Sequence, residues 1–334
     1  MSAEHGGRLA AARRRFPAAP EPFLDLSTGV SPHPYPRPAL PEDAFTRLPE
    51  PEAIGALEAA AARAYGLADP AMAVAAPGTQ ALISLLPRLV PLARVAVLGP
   101  TYAEHAACWR AAGAAVVETG DPAALAAADG AVLCNPNNPD GYRHDPLALR
   151  ALAAGRRLTV IDEAFADPEP PGLSLAPHLP LPGVVVLRSF GKFFGLPGLR
   201  LGFALAEPAR AAAIRAALGP WPVSGPAIAT GTAALADIDW QAAMRTRLAA
   251  QGAALAALLR ATGLDVLGGT PLFCLAAHPR AAALCEGLGA RGILVRRFAH
   301  APTWLRFGLP GTPAAWARLR TALIQVKAAA DRNG

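Results

Sequence analysis

"RSFGKFFGLPGLRLGF", residues 188–203, sets one lysine between a glycine and two phenylalanines. The chain has 31 basic side chains, of which only Lys192 and Lys327 are lysines; the other 29 are arginines. A chain so rich in Ala, Arg and Pro uses arginine wherever positive charge alone is needed. Lys327 falls in a polar C-terminal helical pattern and reads as surface. Lys192 falls among Gly, Phe and Leu, where a permanent charge is costly to bury. A desolvated lysine can lose its proton and act as an amine nucleophile, which arginine cannot. The residue types around Lys192 therefore point to a Schiff base. A P-loop is excluded, because Val186 stands where the first glycine is required and Phe193 replaces Ser/Thr.

Outward from this stretch, short apolar runs alternate with Ala/Leu-rich helical patterns. "MAVAA" (72–76), "RVAVL" (94–98), "AAVVE" (114–118), "AVLC" (131–134), "LTVI" (158–161), "VVVLR" (184–188) and "LGFALA" (201–206) read as strands. Helical patterns over 79–90, 103–112, 122–128 and 146–155 separate most of them. That alternation predicts an α/β domain with a mostly parallel, seven-stranded sheet. Ahead of it, 51–66 opens with Pro and Glu and closes at Gly, the punctuation of a helix. A long helix is expected over 239–260. A small α+β unit follows, with strands near 264–267, 272–277, 293–296 and 304–308 and helices over 279–289 and 313–330. The Pro-rich stretch 17–41 reads as an extended arm. The expected division is an N-terminal arm (1–40) joining the small domain, a large domain (41–238) and a small C-terminal domain (239–334).

Composition narrows the function classes. Hydrophobic residues make up 53% of the chain, yet no run reaches the roughly 18 apolar residues of a membrane span. The opening "MSAEHGGRLAAARRRF" has no apolar segment behind its charges, so a secretory signal is not expected. Cys108, Cys134, Cys274 and Cys285 are widely spaced and read as reduced thiols of a cytoplasmic protein. The seven histidines show no metal-ligand spacing, so no metal is expected. The net charge of +6 is scattered, with Arg13-Arg14-Arg15 its longest cluster. This disfavours nucleic acid as a partner and suits attraction of small anions.

Ligands of open α/β sheets bind beyond the carboxyl ends of the strands, where the polar outliers of this chain collect. "APGTQALI" (76–83) opens a helix, and Thr79, Gln80 and the free N–H groups of that turn can cradle a phosphate. An ordinary capped helix start looks the same. Tyr102 in "GPTYAEH" (99–105) can stack on a planar ring or simply pack. "CNPNNPDG" (134–141) forms a rigid turn that can aim an amide at a ligand oxygen. Asp162 in "TVIDEAF" (159–165) can pair with a cationic ring nitrogen or cap a helix. Ser189 and Arg200 flank Lys192 and can complete a phosphate site.

Five such motifs in this order resemble the fold type I pyridoxal-phosphate enzymes, the aspartate aminotransferase superfamily. The resemblance spans essentially the whole chain. It implies pyridoxal 5'-phosphate as cofactor, Lys192 as the amine that condenses with it, Asp162 at the ring nitrogen, Asn138 at the ring hydroxyl oxygen and Tyr102 stacked on the ring. Gly78, Thr79, Gln80, Ser189 and Arg200 would hold the phosphate, and Arg306 of "WLRFGL" would grip the substrate carboxylate. The chain departs from the pattern at Phe165 and Leu48, where the family often has tyrosines. The opening "HGG…FLDLSTG" is similar to that of the threonine-phosphate decarboxylases of cobalamin biosynthesis, close relatives of the histidinol-phosphate aminotransferases. This implies His5, Gly6, Gly29, Asn138, Arg296 and Arg306 as substrate residues, and a homodimer.

The implied reaction is decarboxylation of O-phospho-L-threonine to (R)-1-amino-2-propanol O-phosphate and CO2. A histidinol-phosphate-type aminotransferase is the alternative, disfavoured by the "HGG…LSTG" pair and Leu48. A non-catalytic binding homologue is the third reading, disfavoured by the intact Lys192, Asp162 and Arg200.

Overall fold

The structure, a computed structural model, describes residues 6–332, with side chains as far as residue 328. In chain order the strands are β1 (Leu24–Asp25), β2 (Ala73–Ala76), β3 (Arg94–Leu98), β4 (Ala115–Thr119), β5 (Gly130–Cys134), β6 (Leu158–Asp162), β7 (Val184–Ser189) and β8 (Gly202–Ala206). They continue as β9 (Asp265–Thr270), β10 (Phe273–Ala277), β11 (Ile293–Leu294), β12 (Arg296–Phe298) and β13 (Ala301–Gly308). β2 to β8 form one seven-stranded sheet in the order β2-β8-β7-β6-β5-β3-β4. β8 is antiparallel to both its neighbours, and every other pair is parallel. β5 to β8 are buried throughout, as continuous apolar strands of a parallel sheet should be, whereas the edge strand β4 is largely exposed.

The expected helices form at Pro51–Ala64, Thr79–Leu89, Glu104–Ala111, Pro146–Ala153 and Ile238–Ala261. The segment read as a helix over 122–128 is instead a short 3-10 turn, Pro122–Ala127, capped by Asp121. With β5 starting at Gly130, too little chain remains for a longer helix. Within 17–41 the only strand or helix is β1, which pairs in parallel with β11. A helix at Leu9–Arg15 precedes it, unanticipated because it buries little more than Ala12. The strand expected over 293–296 is two: β11 belongs with β1, while β12 pairs with β13. Lys327 is half-buried, its ammonium near Gly263 just past the end of helix Ile238–Ala261, where a cation faces the negative end of the helix dipole. No described helix is long and apolar enough to cross a membrane.

The chain divides into two compact units. One holds residues up to His33, Pro139–Gly141 and the chain from Arg245 on, including the four-stranded sheet β12-β13-β10-β9. The other, Pro34–Asn138 and Tyr142–Met244, is built on the seven-stranded sheet.

Candidate active site

The pairing directions put the C-terminal ends of β2, β3, β5, β6 and β7 on one edge of the large sheet, with the start of β8. Gly78, Thr79 and Gln80 follow β2, Tyr102 follows β3, Asn138 follows β5, Asp162 ends β6, Ser189 ends β7 and Arg200 precedes β8. Nine of the expected site residues, Lys192 among them, thus share one edge. They span more than 120 positions of sequence, and strand order alone gathers them.

Gly78 sits at φ 82°, the left-handed region, and starts the helix Thr79–Leu89. A Cβ on it would lie 2.6 Å from Arg200 Nη2, and one on Gly202 would lie 2.7 Å from the Thr79 nitrogen. Arg200 is itself left-handed (φ 53°), and its Nη1 donates to the Pro197 carbonyl at 3.2 Å. A guanidinium and the amides of a helix start therefore meet where no side chain intrudes, which is an anion cradle. Tyr102 donates its hydroxyl to Gln80 Oε1 at 3.1 Å; burial above all pushes its pKa up to about 12, so it stays protonated at neutral pH. Gly78→Ala should leave the fold intact and weaken cofactor binding at least about 100-fold, through backbone strain and a displaced Arg200. Titration of the apoprotein with pyridoxal phosphate, followed by absorbance, measures this.

Asp162 is buried at the end of β6, and its Oδ2 lies 2.9 Å from His105 Nε2, also buried. His105 escaped the sequence reading. Its signal was slight: one imidazole a helical turn after Tyr102, at the start of an Ala-rich helix. The His105, Cys134 and Asp162 donor atoms lie within 4.8 Å of one another, though 57 residues separate the first from the last. Burial opposes the imidazolium, but the Asp162 hydrogen bond, with Cys134 beside it, prevails and raises the His105 pKa from 6.5 to about 10. A raised base stabilises the fold fully below its unfolded pKa and loses that contribution as pH climbs through the folded value. Thermal melts from pH 6.5 to 10 should therefore show a falling Tm, and Asp162→Asn should remove that part of the slope.

Lys192 lies on the four-residue helix Phe190–Phe193, with Ser189 at its N-cap. Phe190, Phe193 and Phe194 are fully buried; Phe190 stacks on Phe194 (4.3 Å between centroids), and Phe194 stacks on Trp240 (5.7 Å). A Cβ on Gly191 would lie 2.8 Å from Pro197 Cα, so the Lys192 turn and the "LPG" turn touch backbone to backbone. The phenylalanines anchor the segment and leave the lysine half-buried, its Nζ 5.7 Å from the centre of the Phe165 ring.

The asparagine turn divides its labour. Asn135 bonds the His144 backbone through both ends of its amide, and Asn137 accepts from Thr101 Oγ1 and donates to the Pro100 carbonyl. These two hold the loop, and the half-buried Asn138 follows them. Behind this edge, Arg188 bridges Glu163 and Asp167, all three buried. Arg188 precedes Ser189 and Glu163 follows Asp162, so the bridge ties the ends of β6 and β7 together.

The other unit carries Gly6, Gly29, Arg296 and Arg306; His5 lies outside the described residues. Arg296 and Arg306 are directly opposed partners on the antiparallel strands β12 and β13. Like charges in that position repel. Burial first, then Arg296, draw the Arg306 pKa down to about 10. A bound anion would relieve both effects.

A buried carboxylate, an amide-and-guanidinium cradle and a half-buried amine fit pyridoxal phosphate, which has a ring nitrogen, a phosphate and an aldehyde. Residues 23–323 match the family described as aminotransferase class I and II. The chain belongs to the class I and II aminotransferase family. Among curated relatives of this family member, threonine-phosphate decarboxylases from Pseudomonas aeruginosa and a Sinorhizobium species are each 46% identical, over 97% of this chain and 98% of their own. Among solved structures, the histidinol-phosphate aminotransferase of Sinorhizobium meliloti in complex with pyridoxal-5'-phosphate is 24% identical, with a TM-score of 0.83 over 96% of this chain and 94% of that one. The L-threonine-O-3-phosphate decarboxylase of Porphyromonas gingivalis is 20% identical, with a TM-score of 0.76 over 91% and 99%. The fold is fold type I, as the motifs around Lys192 implied.

Proposed function

We propose that the protein is a pyridoxal-phosphate-dependent decarboxylase that converts O-phospho-L-threonine to (R)-1-amino-2-propanol O-phosphate and CO2 in cobalamin biosynthesis. The observation that best supports a doubly anionic substrate is the opposed pair Arg296 and Arg306. Two guanidiniums offer bidentate donors to a phosphate and a carboxylate. When bound, pyridoxal phosphate supplies an aldehyde for the substrate amine and an electron sink for the bond cleaved at Cα.

The chain's own residues do the rest. Gly78, Thr79, Gln80, Ser189 and Arg200 would hold the cofactor phosphate, and Tyr102 would lie beside the ring. Asn138 would donate to the ring hydroxyl oxygen, since Phe165 offers no hydroxyl. Asp162, oriented by His105 at 2.9 Å, holds a proton at the ring nitrogen. Arg296 and Arg306, with His5, Gly6 and Gly29, fix the anionic ends of the substrate and so select one rotamer about Cα. An aminotransferase and a decarboxylase differ in which Cα bond that rotamer exposes to cleavage. Lys192 would carry on its Nζ the proton that replaces CO2 at Cα.

The reading includes a cytoplasmic homodimer. It is supported by the exposed Phe45, Leu48 and Trp221, apolar surface that association would cover. Incubation of the holoprotein with O-phospho-L-threonine, without any 2-oxo acid, should yield aminopropanol phosphate and CO2 over many turnovers by mass spectrometry. Sedimentation of the same sample should give twice the chain mass. Amino transfer from histidinol phosphate to 2-oxoglutarate, with no acceptor-free turnover, would instead establish the aminotransferase.

A further inference from the structure

The glycines of "HGG" and the Asp-x-Ser of "LDLSTG" lie twenty residues apart, and cofactor chemistry uses neither Asp25 nor Ser27. In the structure they form one assembly, inside the unit that carries Arg306. The Gly7 N–H donates to Ser27 Oγ at 2.8 Å. Ser27 Oγ donates to Asp25 Oδ1 at 2.5 Å, and the same oxygen accepts the Ser27 N–H at 2.9 Å. With its proton committed to Asp25, the hydroxyl turns a lone pair to the Gly7 amide. The Ser27 carbonyl accepts from Arg306 Nη2 at 3.0 Å. Ser27 and Arg306 are both buried, so the bond between them is shielded from water, and those from Gly7 and to Asp25 are partly so.

Each glycine has its own reason to be there. Gly7 has φ 82°, and a Cβ on Gly6 would collide with the Ser27 carbonyl, the acceptor used by Arg306. On the other side, the Gly308 N–H donates to the Leu26 carbonyl at 2.7 Å, and a Cβ on Gly308 would collide with the Thr28 carbonyl. Leu26-Ser27-Thr28 is thus held between Gly6–Gly7 and Arg306–Gly308.

We propose that Ser27, oriented by Asp25, is a positioning residue for substrate recognition, locking the N-terminal Gly6–Gly7 backbone and the Arg306 guanidinium into one anion-recognition element. The proposal rests on the reading of Gly6 and Arg306 as substrate residues. A substrate with two anionic groups is bound tightly only if its receptors hold a fixed separation, and ordering them beforehand removes that cost from binding.

The test compares Ser27→Ala with Ser27→Thr in the full-length holoprotein. In Ser27→Ala, amide exchange over residues 6–8 should accelerate at least about tenfold, and the KM for O-phospho-L-threonine should rise about 10- to 50-fold with kcat within about threefold. Ser27→Thr keeps the hydroxyl and should restore both. Removing residues 2–7 should raise KM at least as much, and adding Ser27→Ala to that deletion should raise it by less than Ser27→Ala does alone. Unchanged exchange in Ser27→Ala, or a further equal rise of KM in the truncated background, overturns the proposal. Should Ser27→Ala fail to fold, Gly6→Ala presses on the same carbonyl from the other side. It must then show the faster exchange and weaker binding of inorganic phosphate by calorimetry, and failure to do so overturns the proposal equally. If the unmodified protein does not turn over O-phospho-L-threonine, the functional reading fails, while exchange and phosphate binding still decide the latch.

Discussion

Lys192→Arg should yield a folded protein whose turnover of O-phospho-L-threonine has fallen by about 10⁴-fold or more, because guanidinium neither condenses with an aldehyde nor releases a proton near neutral pH. The fold should survive, since the helix Phe190–Phe193 is anchored by its phenylalanines and Lys192 itself is only half-buried. Borohydride treatment of the native holoprotein should leave the cofactor's mass on the peptide containing residue 192. The variant should show none. Circular dichroism that matches the native protein, together with lost turnover, separates this result from unfolding. A variant retaining even a tenth of native turnover would remove Lys192 from the chemistry.

The largest effect on stability is expected at Arg188. Its Nη1 donates to Glu163 Oε2 at 2.7 Å and to Ser174 Oγ at 3.2 Å, its Nη2 donates to Asp167, and the guanidinium lies 4.4 Å from the centre of the Tyr65 ring. Burial raises the Glu163 pKa, while Arg188 and the hydrogen bonds from Ser174 and Leu175 pull it back. Arg188→Leu would strand two buried carboxylates, at a cost of about 3–5 kcal/mol. For a chain of this length that lowers Tm by about 6 °C. The loss should shrink at acid pH, because protonated carboxyls need no counter-ion and a raised carboxyl pKa favours the fold as pH falls. Melts of native and variant protein at pH 5 and pH 8 test this, and an equal loss at both values would contradict the account. Activity should fall too, since the lost bridge joins the strand ends that carry Asp162 and Ser189.

Much of the fold was legible along the chain because its signals are local. Runs such as "RVAVL" and "VVVLR" are too apolar and β-branched for a surface, and Asp121 and Asp145 cap helical turns between such runs. All seven strands of the large sheet lie where apolar runs placed them, to within a residue or two. The misreadings were local signals overruled by neighbours. Residues 122–128 look helical, but β5 begins too soon after them. Residues 293–296 look like one strand, but two sheets compete for it and divide it at Val295.

The sequence by itself determined the alternating α/β pattern and the singular lysine, because both depend on residue type and on spacings within a few turns or one strand. Tertiary structure decided the electrostatics. His105 acquires its raised pKa only from Asp162 and Cys134, which arrive on neighbouring parallel strands. Arg296 and Arg306 become an opposed pair only through the register of β12 on β13, and Gly6 becomes obligatory only because the Ser27 carbonyl lies against it. Periodicity follows from the nearest turns of the chain, whereas charge interactions depend on distance and burial, which strand order and register set.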